Sequence, residues 1–246
     1  MITKFSGDDV HFWDTVRQTI PGSRITMSGG GEQGLSLEDW ERIGDVTSFP
    51  KNHKLVSADE VPKCLYIVKK GFVAGYEELV NGNELIYYLM DRNAMFMEAN
   101  LLLARPAMVN FRTLEPSELI CVRKEVLIKA LEEDRRVFFS MFSSVSNKFL
   151  VAMEELRGSR GHSAEWMLCH LLLEFAERYG VAYDGQILIS KNVSFQMLAG
   201  LLGVNRATAV RAMHSLRDLG LIERINGFLC VRSTEALKRH QELLEG

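Results

Sequence analysis

The stretch from Val193 to Ile222, VSFQMLAGLLGVNRATAVRAMHSLRDLGLI, constrains this chain more than any other. It encodes two short apolar helices around a tight break. Ser194 can cap the first helix, its hydroxyl accepting an N–H that the opening turn leaves unpaired. Met197, Leu198 and Leu201 then recur at helical spacing. Gly203 falls where the chain must turn sharply, and a residue without a Cβ is free to go left-handed there. Val204 fills the angle between the helices. Asn205 caps the second helix, whose buried positions are predicted at Ala209, Val210, Met213 and Leu216.

The second helix also carries Arg206, Thr208, Arg211, His214 and Arg217, the first three at its N-terminal end. This is a helix-turn-helix pattern. In that motif the N-terminal end enters the major groove, where an arginine can pair bidentately with guanine O6 and N7. These five residues, with the caps Ser194 and Asn205, are the candidate DNA contacts. Asn226-Gly227 follows between the runs Glu223–Ile225 and Phe228–Val231, the strongest short hairpin signal, because both turn positions need positive φ. Helix-turn-helix plus ribbon predicts a winged helix. An ordinary helical pair packed on a hairpin is the competing reading.

Charge distribution agrees with a DNA reader. The chain as a whole is acidic, with a formal charge of -3. From Ser190 to Arg232, however, one Lys and five Arg stand against one Asp and one Glu, a balance of +4. The 246 residues are enough for two domains with separate cores. No run of about 18 apolar residues could span a bilayer, and the N-terminus lacks a signal-peptide pattern, so the expectation is a cytoplasmic protein with no membrane partner. Cys64, Cys121, Cys169 and Cys230 are widely spaced and form no C-x-x-C pair, which argues against a local zinc or iron–sulfur site. Buried cytosolic thiols are expected.

Residues 1–45 read as an extension, partly helical or mobile, with short helices expected over His11–Ile20 and Ser36–Ile43. The glycine-rich Gly29–Gly34 has no following Lys-Ser/Thr, so it is not a P-loop. From 46 to 129 the pattern changes to β-rich runs: Lys54–Val56, Cys64–Val68, Phe72–Tyr76, Leu85–Leu89 and Leu119–Val122. Gly71 and Asn81-Gly82-Asn83 are among the turn signals between them. This spacing predicts a small antiparallel β-roll or jelly roll.

The run LYIVKKGFVAGYEELVNGNELIYYL, with the long helix and winged helix behind it, resembles the CRP/FNR superfamily of bacterial transcription regulators over about Phe49–Val231. The resemblance implies an α+β architecture: an N-terminal effector-binding β-roll, a long dimerisation helix and a C-terminal winged helix-turn-helix domain. The family pattern has glycines near Asn52, Asp59 and Asn93. Asn and Asp tolerate the left-handed conformation best when glycine is absent, so the turns should survive. The family pattern also often has Glu at the position of Ala207, and alanine cannot accept a hydrogen bond from cytosine. The usual half-site is therefore not assumed, while guanine contacts by Arg206 and Arg211 are.

Met95-Phe96-Met97-Glu98 and Arg105-Pro106-Ala107 resemble the cassette that cradles a cyclic nucleotide. Glu98 and Arg105 fall on the family's Glu and Arg. Met97 replaces a glycine that lets backbone approach the ligand, and Pro106 replaces a serine and removes an N–H donor. With Met90, Met95, Phe96 and Met108 nearby in sequence, the expectation is a pocket for a small organic effector, aromatic or amphipathic, rather than cyclic AMP. A filled core that binds nothing is the alternative. Tyr76, Met97, Glu98, Arg105 and Asn147 are the candidate effector contacts, and no cofactor beyond the effector is expected.

Residues 130–157 read as one long helix without Pro. Phe138, Phe142, Val145, Phe149, Ala152 and Leu156 step by 4 and 3 in alternation, the a/d seam of a two-stranded coiled coil. Val137, Met141, Leu150 and Met153 lie beside it and are placed against the β-roll. A homodimer fits a palindromic site, because it sets two recognition helices about 34 Å apart. Residues 158–162 read as a hinge, and 163–246 as the DNA-binding domain, opening on a helix from Ser163 through Tyr179. Gly180–Ile189 supplies a turn and a short strand, and Thr234–Leu244 a last helix.

No G-x-S-x-G, H-E-x-x-H or metal-spaced histidine set is present, so the chain is not expected to be an enzyme. The expected partners are double-stranded DNA, a second copy of the chain and a small organic effector, with RNA polymerase added if the protein activates. Three alternatives stay open: a redox sensor using Cys64 or Cys121, a cyclic-nucleotide effector, or a β-roll interaction module that does not bind DNA.

Overall fold

Alternating burial along Cys64–Lys70 shows how the N-terminal half is layered. Leu65 and Ile67 are buried on one face of this strand and Val68 on the other, so its sheet is covered on both sides. The computed structural model describes residues 25–26, 34–158 and 162–244. Packing divides the chain into two units, Met1–Tyr76 with Tyr87–Glu154, and Glu77–Ile86 with Glu155–Gly246.

The roll is built from β1 (Ile25–Thr26), β2 (Asp45–Phe49), β3 (Lys54–Val56), β4 (Cys64–Lys70), β5 (Val73–Glu78), β6 (Glu84–Met90), β7 (Met95–Phe96), β8 (Asn110–Thr113) and β9 (Ser117–Arg123). One sheet has the order β1-β6-β5-β8-β3 and the other β2-β9-β4-β7. β1 runs parallel to β6, whereas β2, β4 and β7–β9 pair antiparallel. Val68, Val73, Met90, Phe96, Phe111 and Leu119 fill the space between the sheets. On the outer face of the second sheet, Leu65, Ile67, Ile120 and Val122 pack on Trp40 of α1 (Leu37–Ile43), Leu127 of α3 (Lys124–Glu133) and Met141 of α4 (Arg135–Gly158). The short α2 (Glu98–Leu103) follows β7 directly.

The turns explain how the roll closes without the glycines of the family pattern. Asn52, Asp59 and Asn93 have φ of 63°, 65° and 73°, and each is a residue type that enters the left-handed region at low cost. Gly71, at φ 106°, has no substitute, because a Cβ there would overlap Ser117.

Three expectations are revised. The helix expected over 130–157 is broken at Asp134, whose φ of -137° ends α3 and whose carboxylate accepts the N–H of Arg136 at 2.9 Å to start α4. Leu150 and Met153 are exposed, and Val151 is buried instead. β1, β2, β7 and β8 add to the expected strands; β2 is largely exposed and shows no apolar alternation. Ser36 does cap α1, in a reciprocal capping box with Asp39. The helix expected over His11–Ile20, residues 29–33 of the glycine-rich loop and residues 159–161 of the hinge lie outside the described residues.

The second unit contains α5 (Ala164–Tyr179), β10 (Gly180–Tyr183), β11 (Gln186–Ile189), α6 (Phe195–Leu202), α7 (Arg206–Asp218), β12 (Ile222–Ile225), β13 (Phe228–Val231) and α8 (Thr234–Leu243). Its strands form one sheet, β10-β11-β13-β12. Gly180–Ile189 is a full hairpin, turning at Asp184 and Gly185, both with positive φ. Leu168, Leu172 and Phe175 of α5 are fully buried. His240 on α8 lies 2.7 Å from Glu165 on α5, which joins the last helix to α5.

Candidate functional site

The candidate DNA-facing element is held by local chemistry already legible in the sequence. Ser194 Oγ accepts the N–H of Met197 at 3.1 Å to start α6. Gly203 then turns the chain at φ 64°, and Asn205 Oδ1 accepts the N–H of Thr208 at 2.9 Å to start α7. Ala209, Ala212, Met213 and Leu216 are the buried face of α7. Val210, expected inside, is half-exposed, and Ala212 takes the place assigned to it, because the helix docks through positions 209, 212, 213 and 216.

The opposite face carries the charge. Arg206, Arg211, His214 and Arg217 are exposed. Arg211 Nη2 donates to Thr208 Oγ1 at 2.8 Å, which orients its guanidinium along the helix and leaves other donors free. Arg217 is paired with its neighbour Asp218 at 3.2 Å. The sequence reading missed Arg224. Its guanidinium donates to the carbonyls of Gly227 at 2.8 Å and Val193 at 2.9 Å, and it lies over the Phe195 ring at 5.1 Å. It therefore ties the wing to the start of α6. Asn226 and Gly227 take φ of 50° and 86° in the wing turn.

In the roll, the candidate effector residues have separate surroundings. Tyr76 is buried beneath the guanidinium of Arg112, 4.1 Å from its ring centre. Met97 is buried in the interior at φ 73°, the left-handed region that the family glycine would adopt freely. Arg105 is exposed, and its backbone N–H closes the end of α2 on the Asn100 carbonyl at 2.9 Å. Asn147 is half-buried on α4. Glu98 is only 3% exposed, and its Oε1 accepts from Ser144 Oγ and Lys148 Nζ, each at 2.5 Å. Lys148 also donates to the Met95 carbonyl at 2.7 Å. Nothing in the sequence points to Lys148, because a lysine on a long helix ordinarily reads as solvated.

The interior itself is aromatic. Phe96 is stacked between Tyr66 and Phe111, with ring centres 5.0 Å away on each side. Burial pushes the Tyr66 hydroxyl up to about 12 and the Cys121 thiol up to about 11, and it raises Cys64 as well. Thiols held protonated in this way are poor nucleophiles. Among the described residues, no cluster of His, Cys, Asp and Glu could hold a metal ion.

On α4, Phe138, Phe142, Val145 and Phe149 are 53%, 55%, 40% and 62% exposed. The polar Ser140 and Ser144 are buried on the other side of the helix, where Ser140 Oγ accepts the N–H of Leu35 at 2.8 Å. Ala152 is also exposed, and Leu156 lies outside the residues whose side chains are described.

Comparison with known proteins agrees with both halves. Residues 46–134 match the cyclic nucleotide-binding domain family and 168–240 the Crp-like helix-turn-helix domain family. An anaerobic regulatory protein of Bacillus subtilis is 23% identical over 159 residues, 64% of this chain and 67% of its own. A CRP-like cAMP-activated global transcriptional regulator of Mycobacterium tuberculosis is 21% identical over 199 residues, 78% of this chain and 85% of its own. Among solved structures, the c-di-GMP responsive global regulator CLP of Xanthomonas campestris superposes with a TM-score of 0.71 at 19% identity, covering 80% of this chain and 98% of that one. The ordered pairing of a cyclic-nucleotide-binding-type roll with a Crp-like helix-turn-helix places this chain in the CRP/FNR superfamily of transcription regulators.

Proposed function

We propose that this chain is a homodimeric, ligand-responsive regulator that binds a palindromic promoter site and is controlled by a small organic effector held in the β-roll. The observation that carries the reading is the exposed strip Phe138, Phe142, Val145 and Phe149 on α4. Four large apolar side chains at coiled-coil spacing on one open helix face call for a partner helix, and a second copy supplies an identical one. A two-fold dimer then carries two copies of α7, each with exposed Arg206 and Arg211, to successive major grooves.

The effector is argued from the departures in the roll. A cyclic nucleotide needs a close backbone approach at Met97, where a long side chain stands. It also needs a free carboxylate at Glu98, where Ser144 and Lys148 already donate to Oε1. The ring-lined interior around Phe96 suits a flat aromatic molecule that displaces or joins the stack. The names of the relatives differ in effector, cAMP for one and c-di-GMP for another, so the shared fold leaves the ligand open. Such an effector acts by preferring one packing of α4 over another, and only to the extent of that preference. The raised thiols of Cys64 and Cys121 speak against the redox alternative. No described helix is long and apolar enough to cross a membrane. As a promoter-binding regulator, the protein works in the cytoplasm, with RNA polymerase as its further partner if it activates.

A thermal-shift screen of small aromatic acids beside cyclic nucleotides tests the effector. A native-state ligand at 100 times its Kd stabilises by about 2.7 kcal/mol, so an aromatic acid should raise the midpoint while cyclic AMP leaves it unchanged. Arg206→Ala with Arg211→Ala should abolish promoter binding by a folded dimer. Retained binding would move the function away from DNA.

A further inference from the structure

Helix α7 exposes more than arginines. At 100° per residue its buried positions Ala209, Ala212, Met213 and Leu216 form one face, Ala207, Arg211, His214 and Asp218 point most directly away from it, and Val210 stands on the flank between the two. Ala207, Arg211 and His214 are exposed and Val210 is half-exposed. Val210 shares its flank with Arg206 and Arg217. In the N-terminal half of the helix, the part that enters the groove, the surface beside Arg206 and Arg211 is therefore made by two methyl-bearing side chains, Ala207 and Val210.

We propose that Ala207 and Val210 read a thymine methyl next to the base pair that Arg211 contacts, making these two apolar residues determinants of the operator sequence. The proposal rests on α7 acting as the DNA-reading helix. The C5-methyl of thymine is the apolar group that base pairs offer in the major groove, and small apolar side chains are its recognised partners. Neither Ala207 nor Val210 can donate to or accept from a base edge. Each can bury a methyl group, and Val210 gains the contact it lacks in the free protein. Arg211, held by Thr208 at 2.8 Å, keeps donors for guanine. Val210 adjoins Arg211 and Ala207 lies one turn away, about 6 Å along the axis. With about 3.4 Å between successive base pairs, all three reach within about two steps of one another. A thymine beside a guanine satisfies these three side chains as a unit.

The test begins with selection of binding sites by the full-length protein from a random duplex library. Each thymine of the selected half-site is then replaced by deoxyuridine, which removes the methyl and nothing else. The expected result is a selected thymine within two steps of a G·C pair, and an affinity loss of about fourfold per half-site when its methyl is removed. That loss should disappear in the Ala207→Gly, Val210→Ser variant, while Arg211→Ala retains it. As a second reading, Ala207→Glu should move the preference at that position toward cytosine, whose N4 donates to a carboxylate. A selected site whose affinity is indifferent to deoxyuridine, or equally sensitive in the wild type and the double variant, overturns the methyl-reading role and leaves DNA recognition standing. If no sequence is enriched at all, the DNA-reading assignment fails and this proposal fails with it.

Discussion

Lys148 Nζ and Glu98 Oε1 are 2.5 Å apart, joining the middle of α4 to the first turn of α2. Glu98 is almost wholly shielded from solvent and Lys148 is the more open partner, with side-chain exposures of 4% and 18%. Lys148→Met leaves a buried carboxylate with Ser144 but no counter-charge, at a cost of about 3–5 kcal/mol. Adding Glu98→Gln to that variant removes the stranded charge and should restore most of the loss. Chemical denaturation of the wild type, the single variant and the double variant checks this. Equal losses in the single and double variants would show that the pair contributes packing alone.

Met97 carries a second opposition, between backbone and side chain. Its φ of 73° costs a non-glycine residue roughly 1–2 kcal/mol, while its buried side chain offsets that by packing beside Phe96. Met97→Ala removes the packing and keeps the strain, and Met97→Gly removes both. The glycine variant should therefore be the more stable of the two by about 1 kcal/mol, the reverse of the usual order in a helix or strand. Denaturation midpoints measured side by side decide it. An alanine variant as stable as the glycine variant would mean that the backbone relaxes out of the left-handed region.

These two sites mark where sequence reasoning stops. The helix-turn-helix was legible because caps, turn and periodicity are local: Ser194, Gly203 and Asn205 act on residues within one turn of themselves. Asn52, Asp59 and Asn93 were legible because the family pattern marks those turns and Asn and Asp tolerate positive φ there. Glu98 meets Lys148 across 50 positions, and no spacing rule connects a carboxylate after one strand to an ammonium on a distant helix. Val210 and Ala212 exchanged places because a helix with apolar residues at 209, 210, 212 and 213 has two admissible buried faces, and only its docking partners choose. β2 escaped because an exposed strand has no apolar alternation to display.

The thiol of Cys121 gives a pH prediction. Burial raises it from 9.0 to about 11, so the folded state holds a proton that the unfolded chain releases sooner. That contribution to stability is complete below pH 9 and is lost as pH rises to about 11. Cys121→Ala should make the decline in stability between pH 9 and 11 shallower, as followed by denaturation at stepped pH. Near neutral pH the same shift lowers the thiolate fraction about a hundredfold, so iodoacetamide should label Cys121 far more slowly in the native protein than in denaturant. Equal rates would restore the redox alternative.

Phe142 separates folding from association. It is 55% exposed within one protomer, so Phe142→Glu removes little from the protomer core. In a two-fold seam it would place two carboxylates where two rings were to be buried, with about 1.5–3 kcal/mol lost for each ring. The dimer constant should rise by two orders of magnitude or more, while the secondary structure is unchanged. Light scattering across a dilution series, with circular dichroism as control, reads both. A dimer that survives this variant would place the interface elsewhere.

Arg224 looks from composition like one more cation for the phosphate backbone, yet its guanidinium already serves the Val193 and Gly227 carbonyls and lies over Phe195. A positioning role and a phosphate-binding role differ in their salt dependence. Each neutralised phosphate contributes about -0.9 to the slope of log affinity against log salt. Arg224→Met should lower thermal stability by about 1 kcal/mol, less than the roughly 1.5–3 kcal/mol of a shielded charged hydrogen bond because the side chain is exposed. It should weaken DNA binding equally at every salt concentration, leaving the slope unchanged. A slope reduced by about one in Arg224→Met would assign the wing arginine to the DNA backbone instead.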